Sequence, residues 1–267
     1  GTLSTANTFV GQSMGRGRRR DAPRYVWQAV YLALIWGAAA LLLRPLAPAI
    51  FAWADHAPHV QEHEITYFRY GLFRVAPVGF IYALSAFYQA TKRPVVPMIT
   101  AVIGGVVNVA LNYVLIFGKL GVREMGIEGA AIATVLPSCF QAVLMFGAFL
   151  SGPTHRAYGS RTAWGLDLTK MWRMIRFGIP AGLTWSLENA SWTLFVMKVI
   201  GSLGKDALAA QNATIQILHM SFMPVIGLNI GIQAIVGQHI GMGDHDGAKR
   251  RAYRAVAGGV GFMVFMG

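Results

Sequence analysis

The chain has 267 residues, of which 55% are hydrophobic and only 13% carry a charge, and its mean hydropathy is +0.48. A soluble domain has roughly 25% charged residues, so this composition excludes an ordinary water-soluble protein. The single cysteine, Cys139, excludes a disulfide framework or a cysteine metal site within the chain.

Six segments are long and apolar enough to cross a bilayer, whose hydrocarbon core of about 30 Å requires about 20 helical residues. In chain order they are residues 26–53, 73–90, 95–117, 127–150, 177–199 and 207–240. The flanking residues 1–14 and 252–267 have the composition of parts of further helices. We therefore expect an all-α, polytopic membrane protein, of which this chain is an internal fragment.

The net charge of +12 suggests nucleic acid as a partner, but the basic residues are concentrated in every second connection between the predicted spans. Connections between the spans hold sixteen of the 23 basic residues in residues 16–24, 92–93, 156–176 and 249–254. The alternate connections hold only Lys119, Arg123 and Lys205. This positive-inside pattern predicts a multi-pass protein of the inner or plasma membrane, with the basic loops in the cytoplasm and no nucleic-acid partner.

An internal repeat relates the two ends of the chain. Residues 10–30 match residues 236–256 at a constant offset of 226, with 9 of 21 positions identical. Six spans separate the copies, so we expect both on the same membrane side, in two parallel six-helix repeats. The chain would run from the end of helix 2 to part of helix 9. Residues 1–154 would complete an N-terminal lobe, residues 155–170 form a cytoplasmic linker, and residues 171–267 begin a C-terminal lobe.

Glu188 is the strongest candidate for a functional residue. It lies 11 residues after the start of the fifth span, which places it about 16 Å deep, near the bilayer midplane. A carboxylate is costly at that depth, so it predicts a site that exchanges a proton, a metal ion or an organic cation. Trp185 and Trp192 share its helix face and Asn189 is adjacent, which suits a lipophilic cation. The alternative is a protonated Glu188 bonded to a neighbouring helix, with both tryptophans only packing.

A polar stripe in the sixth span is a second candidate surface. Asn212, Gln216 and His219 follow the i, i+4, i+7 spacing of one helix face, and lipid does not tolerate such a face. It would therefore line the cavity or form hydrogen bonds between helices. Asn108 and Asn112 repeat this spacing in the third span, with the same two interpretations.

Other polar residues give weaker indications. His56, His59 and His63 have helical spacing, but acidic neighbours favour a solvated external loop over a metal site, so we expect no bound metal. Four basic residues within apolar stretches are expected to snorkel or to pair inside the bundle: Arg44, Arg69, Arg74 and Lys198.

Five stretches carry recognisable motifs. Residues 97–118 read PMITAVIGGVVNVALNYVLIFG, and residues 126–135 read GIEGAAIATV. Residues 177–195 read FGIPAGLTWSLENASWTLF, residues 203–244 read LGKDALAAQNATIQILHMSFMPVIGLNIGIQAIVGQHIGMGD, and residues 10–17 read VGQSMGRG. Together they resemble the fifth to eighth helices, and the end of the second, of the multidrug and toxic compound extrusion (MATE) family.

The resemblance implies two six-helix lobes in a V shape and alternating access. It implies export of cationic drugs or toxic organic compounds in exchange for Na⁺ or H⁺, with Glu188 as a cation-coupling glutamate in the helix that carries the Gly178 G-x-P motif. We expect no cofactor besides the coupling ion. The expected partners are small cationic substrates and membrane lipid, and the expected state is a monomer.

Two other functions compete with this interpretation. A flippase of the same superfamily, moving lipid-linked precursors or polysaccharide, would need arginines such as Arg44, Arg69 and Arg74 lining the cavity. A membrane-embedded enzyme would need paired acids, or a histidine and an acid, in one span, and the sequence has neither.

Overall fold

The computed structural model describes residues 2–52, 58–200, 202 and 204–266, and in these residues the chain is helical with no β-strand. The α-helices are α1 (Thr5–Gly15), α2 (Ala22–Leu41), α3 (Ala47–Ala52), α4 (Pro58–Gly71), α5 (Val75–Ala90), α6 (Val95–Phe117), α7 (Gly126–Phe149), α8 (Gly152–Tyr158), α9 (Leu168–Phe195), α10 (Lys205–Met242) and α11 (His245–Met266). The predicted all-α class is confirmed.

Within the described residues, five stretches are long and apolar enough to cross a membrane. They are Ala22–Ala52, Pro58–Ala90, Val95–Phe117, Gly126–Phe149 and Ala210–Met242. The first two contain short 3₁₀ turns at Arg44–Leu46 and Leu72–Arg74. Five of the six predicted spans therefore have a counterpart, and the second begins 15 residues earlier than predicted, at Pro58 instead of residue 73.

The extra length comes from α4, which replaces a predicted loop. His59 and His63 lie on this helix, so the loop prediction was wrong there, while His56 lies outside the described residues. The polar composition of α4 does not by itself predict a helix. Packing against α7 and α3 supports the helix instead, and Phe51 of α3 and Phe68 of α4 are in edge contact at 5.6 Å between ring centroids. Local hydropathy does not report such tertiary support.

The remaining predicted span lies in α9, which is 28 residues long and continues through a π-helical turn at Val196–Ile200. Its length would cross a bilayer with residues to spare, but it is not among the five stretches of sufficient hydropathy. Its polar middle, around Glu188 and Asn189, lowers the hydropathy. A helix of this composition requires contact with protein or water along one face.

A buried cluster joins α1, α2, α5, α7 and the start of α9. Phe87 and Phe149 meet edge to face at 5.0 Å between ring centroids, and Met174 of α9 is fully buried beside them. Close packing of this kind fixes helix positions, because a well-filled core tolerates little change in volume.

The connection between α8 and α9 is held against α2. The buried side chain of Gln28 donates to the Gly165 carbonyl (2.9 Å) and accepts from the Asp167 amide (3.0 Å). Trp27 Nε1 donates to the Ser160 carbonyl at 2.8 Å. Buried polar groups are stable only when they are bonded, so these bonds fix where α9 begins.

The two copies of the repeat lie side by side, because α1 and α10 run parallel in close contact. A Cβ atom added to Gly15 would lie 2.0 Å from the Gln238 carbonyl oxygen, and one added to Gly241 would lie 2.3 Å from the Gln12 carbonyl oxygen. The repeat offset of 226 maps each of these contacts onto the other, because Gly15 corresponds to Gly241 and Gln12 corresponds to Gln238. Small residues permit such backbone approach in membrane helices.

Replacing Gly15 with alanine is expected to destabilise the full-length protein by about 1–3 kcal/mol, because the new methyl group overlaps α10 and forces the helices apart. Thermal unfolding of the purified variant measures this change. Gly147→Ala is the matched control, because a Cβ at this exposed position of α7 meets no atom within 4 Å. Equal unfolding midpoints for the two variants would contradict the contact.

Candidate functional site

Glu188 lies 20 residues after the start of α9, and its side chain is exposed. It borders a recess of about 520 Å³ that also contacts Trp185, Asn189, Ser191, Trp192 and Phe195. All six residues belong to α9, so the recess is the surface of one helix face. The structure therefore brings Glu188 together with the three neighbours that the sequence predicts: Trp185, Asn189 and Trp192.

The aromatic side chains form the walls beside the carboxylate. Trp185 is 61% exposed and Trp192 is 50% exposed, and the Trp192 ring lies against Phe195 at 5.7 Å between centroids. Indole faces attract cations through their quadrupoles, and no arginine or lysine lines the recess in the described part of the chain. Its chemistry favours a cation over an anion.

Asn189 has a partner within its own helix. Its Nδ2 donates to the Trp185 carbonyl at 2.7 Å, which leaves the amide oxygen as the group that can accept a further bond. Thr184 Oγ1 likewise donates to a carbonyl of its own helix, that of Pro180, at 3.0 Å.

The predicted stripe of α10 lies outside this recess. Asn212, Gln216 and His219 are exposed on α10, and none of them lines the surface around Glu188. They remain predicted cavity-lining residues. Further along the helix, Gln233 Nε2 donates to Asn229 Oδ1 at 3.0 Å within α10.

The asparagine pair of α6 has mixed partners. Asn108 Nδ2 donates to the Ala133 carbonyl of α7 at 2.7 Å, whereas Asn112 Nδ2 donates within α6 to the carbonyl and the side chain of Asn108. The hydrogen-bonding interpretation therefore describes Asn108. Its bond crosses the α6–α7 contact.

Two of the three arginines within the apolar stretches, Arg44 and Arg74, contact residues far along the sequence. Arg74 Nε donates to Ser138 Oγ of α7 at 3.0 Å, and the Arg44 guanidinium lies over the Phe73 ring at 5.7 Å from its centroid. These contacts involve the 3₁₀ turns Arg44–Leu46 and Leu72–Arg74 and helix α7, and none of the residues lines the recess at Glu188. Sequence reasoning marked these arginines but had no signal for their partners, because 64 residues separate Arg74 from Ser138.

The sequence did not predict three hydrogen bonds that Tyr70 and Asn7 form between helices. The Tyr70 hydroxyl donates to Glu128 Oε1, linking α4 to the first turn of α7. Asn7, nearly buried on α1, donates to Gln89 Oε1 of α5 (3.1 Å) and to the Ile230 carbonyl of α10 (3.0 Å). Each joins helices distant in sequence, so only their assembly reveals the pairing.

Comparison with known sequences identifies the family. The sequence profile described as MatE matches residues 1–114 and 180–267 of the chain. The chain belongs to the MATE family. This confirms the predicted family, and membership in a family of transporters excludes the membrane-embedded enzyme.

Individual relatives agree with this assignment. The probable multidrug resistance protein NorM of Rhizobium meliloti (strain 1021) is 30% identical over 255 residues, which are 95% of this chain and 54% of that protein. A crystal structure of MATE in complex with MaL6 has a TM-score of 0.85 at 16% identity and covers 96% of this chain and 56% of its own. An outward-facing multidrug resistance MATE family transporter of the MOP superfamily has a TM-score of 0.83 at 17% identity, with the same coverages. The chain spans about half the length of the curated relatives it matches.

Replacing Asn108 with leucine is expected to destabilise the full-length MATE protein by about 1 kcal/mol, because the Ala133 carbonyl loses its partner across the α6–α7 contact. Thermal unfolding in detergent provides the measurement. Asn112→Leu serves as the matched control, since its bonds stay within α6, and its midpoint should change less. A larger loss for Asn112→Leu would reverse the assignment of the bridging residue.

Proposed function

We propose that this MATE chain forms part of a secondary antiporter that exports cationic drugs or toxic organic compounds in exchange for Na⁺ or H⁺. The observation that carries the proposal is the recess on α9, where the Glu188 carboxylate stands between Trp185 and Trp192. Family membership and the multidrug resistance name of the relative from Rhizobium meliloti support the same function.

The recess supports cationic substrates over lipid-linked precursors. A precursor flippase binds an anionic headgroup and needs basic side chains at its site. Arg44 and Arg74 contact Phe73 and Ser138 instead, while the lining of the recess has a carboxylate and aromatic faces.

Exchange at Glu188 follows from competition for one carboxylate. A proton or Na⁺ that binds there removes the negative charge that holds an organic cation, so the coupling ion displaces the substrate. Release of the ion on the opposite side restores the charge. Transport requires that each ligand bind the two orientations of the protein with different affinity, because a ligand shifts an equilibrium only by that difference.

The proposed architecture assigns residues 1–154 to an N-terminal lobe, residues 155–170 to a cytoplasmic linker and residues 171–267 to a C-terminal lobe. The offset-related contacts of α1 and α10 support a twofold relation between the lobes. Multi-pass insertion in the inner or plasma membrane, basic loops in the cytoplasm and a monomeric state complete the proposal. The alternation of basic residues supports the loop orientation.

Replacing Glu188 with glutamine in the full-length transporter is expected to reduce ion-driven ethidium efflux about tenfold or more, because the neutral amide no longer exchanges an ion for a cation. Efflux from cells expressing equal amounts of each protein measures this. Glu124→Gln is the matched control, since Glu124 lies in the exposed connection between α6 and α7, and its efflux should be unchanged. Unchanged efflux by the Glu188 variant would refute its role.

Replacing Trp192 with leucine is expected to weaken binding of a cationic dye about fivefold, the loss of one cation–π contact of about 1 kcal/mol. Fluorescence titration of the purified full-length protein measures the dissociation constant. Trp172→Leu is the matched control, because Trp172 is an exposed tryptophan of α9 outside the recess. Equal weakening of dye binding by both substitutions would show that Trp192 does not belong to the binding site.

A further inference from the structure

A second cavity lies at the basic end of the bundle, far along α9 from Glu188. It occupies about 280 Å³ where α1 ends, α2 begins and α9 begins. Four cationic side chains line it, together with two carboxylates: Arg16, Arg18, Lys170, Arg173, Asp21 and Asp167.

The carboxylates are already paired: Asp167 neutralises Lys170 within the lining, and Asp21 pairs with Arg24 outside it. Asp167 accepts from the Lys170 ammonium and, at 3.0 Å, from the Lys170 amide, and these bonds hold the pKa of its carboxyl below the usual range. Asp21 pairs with Arg24 at 3.3 Å. Among the described residues, Arg16, Arg18 and Arg173 form no ion pair, which leaves three guanidinium groups around one cavity.

Arg16, Arg18 and Arg173 are exposed and therefore accessible to a ligand, and an anion bound between them would reduce their mutual repulsion. Guanidinium groups present forked N–H donors that match the oxygens of phosphate. Arg16 and Arg18 follow α1 and Arg173 lies on α9, so one bound anion would contact segments more than 150 residues apart.

Exposed apolar residues adjoin the lining residues of the cavity in the sequence. Trp164 in the connection before α9, and Leu168 and Trp172 in the first turns of α9, are 64%, 67% and 64% exposed. Exposed tryptophans at the end of a membrane helix are typical of the interface, where phospholipid headgroups lie. Basic pockets between helices at this level bind phosphate-bearing headgroups in other membrane proteins.

We propose that the cavity formed by Arg16, Arg18 and Arg173 binds a phosphate group, the chemistry that an anionic phospholipid headgroup shares with soluble phosphate. The exposed apolar side chains of Trp164, Leu168 and Trp172 favour the lipid. Bound phosphate ties the end of α1 to the start of α9 and thereby stabilises the arrangement of helices described above.

The test is thermal unfolding of the full-length transporter in neutral detergent. The additions are phosphatidylglycerol, phosphatidylcholine, or phosphatidylcholine with inorganic phosphate. Phosphatidylglycerol is expected to raise the unfolding midpoint by about 3 °C or more relative to phosphatidylcholine. The variant Arg16→Gln, Arg18→Gln, Arg173→Gln should lose this shift.

The matched control is Arg19→Gln, Arg20→Gln, Arg176→Gln, which removes the same charge from exposed positions of the same segments outside the cavity. It should keep the shift. If inorganic phosphate gives the shift instead, and the cavity variant alone loses it, the phosphate site stands and its ligand is soluble. Should the triple variant fail to fold, Arg173→Gln is compared with Arg176→Gln in the same assay. No shift with either ligand, or an equal loss in cavity and control variants, overturns the proposal.

Discussion

The close approach of α1 and α10 is the contact on which the rest of the structure depends. Gly15 against the Gln238 carbonyl and Gly241 against the Gln12 carbonyl leave no room for a side chain at either glycine. With the two backbones this close, buried polar groups reach across: Asn7 bonds to α5 and α10, and Gln238 Nε2 donates to the Ala90 carbonyl at 2.7 Å. The contact thus holds three helices together, and two of them come from opposite ends of the chain.

The same arrangement sets the position of the candidate site. α9 begins where Gln28 holds the preceding connection against α2, and Asp167 caps its first turn by accepting from the Lys170 amide. Met171 and Met174 are buried near this end, while the side chains around Glu188 are exposed. Packing therefore fixes the N-terminal end of α9. The part of α9 around Glu188 presents its carboxylate and the two indoles on one exposed face.

Several features of the structure agree with sequence reasoning because they depend on local composition. Apolar length predicts the spans of α2–α3, α6, α7 and α10, and helical spacing alone places Trp185, Glu188 and Trp192 on one face. The sequence-based predictions fail where a segment depends on distant residues. The helix α4 is polar enough to resemble a loop, yet it packs against α7, and a hydrogen bond from Tyr70 of α4 to Glu128 of α7 contributes to this contact. The short helix α8, Gly152–Tyr158, also had no periodic signal of its own.

The sequence by itself determined that the chain is a helical membrane protein of the MATE family, with a duplicated segment and a carboxylate between two tryptophans. Those properties follow from hydropathy, motif and spacing, which are read along the chain. Only the tertiary structure decided that the duplicated helices touch through glycine, that Arg74 bonds Ser138, and that Arg16 and Arg173 share a cavity. These pairings join residues tens to hundreds of positions apart, and helix packing, which hydropathy does not encode, selects them.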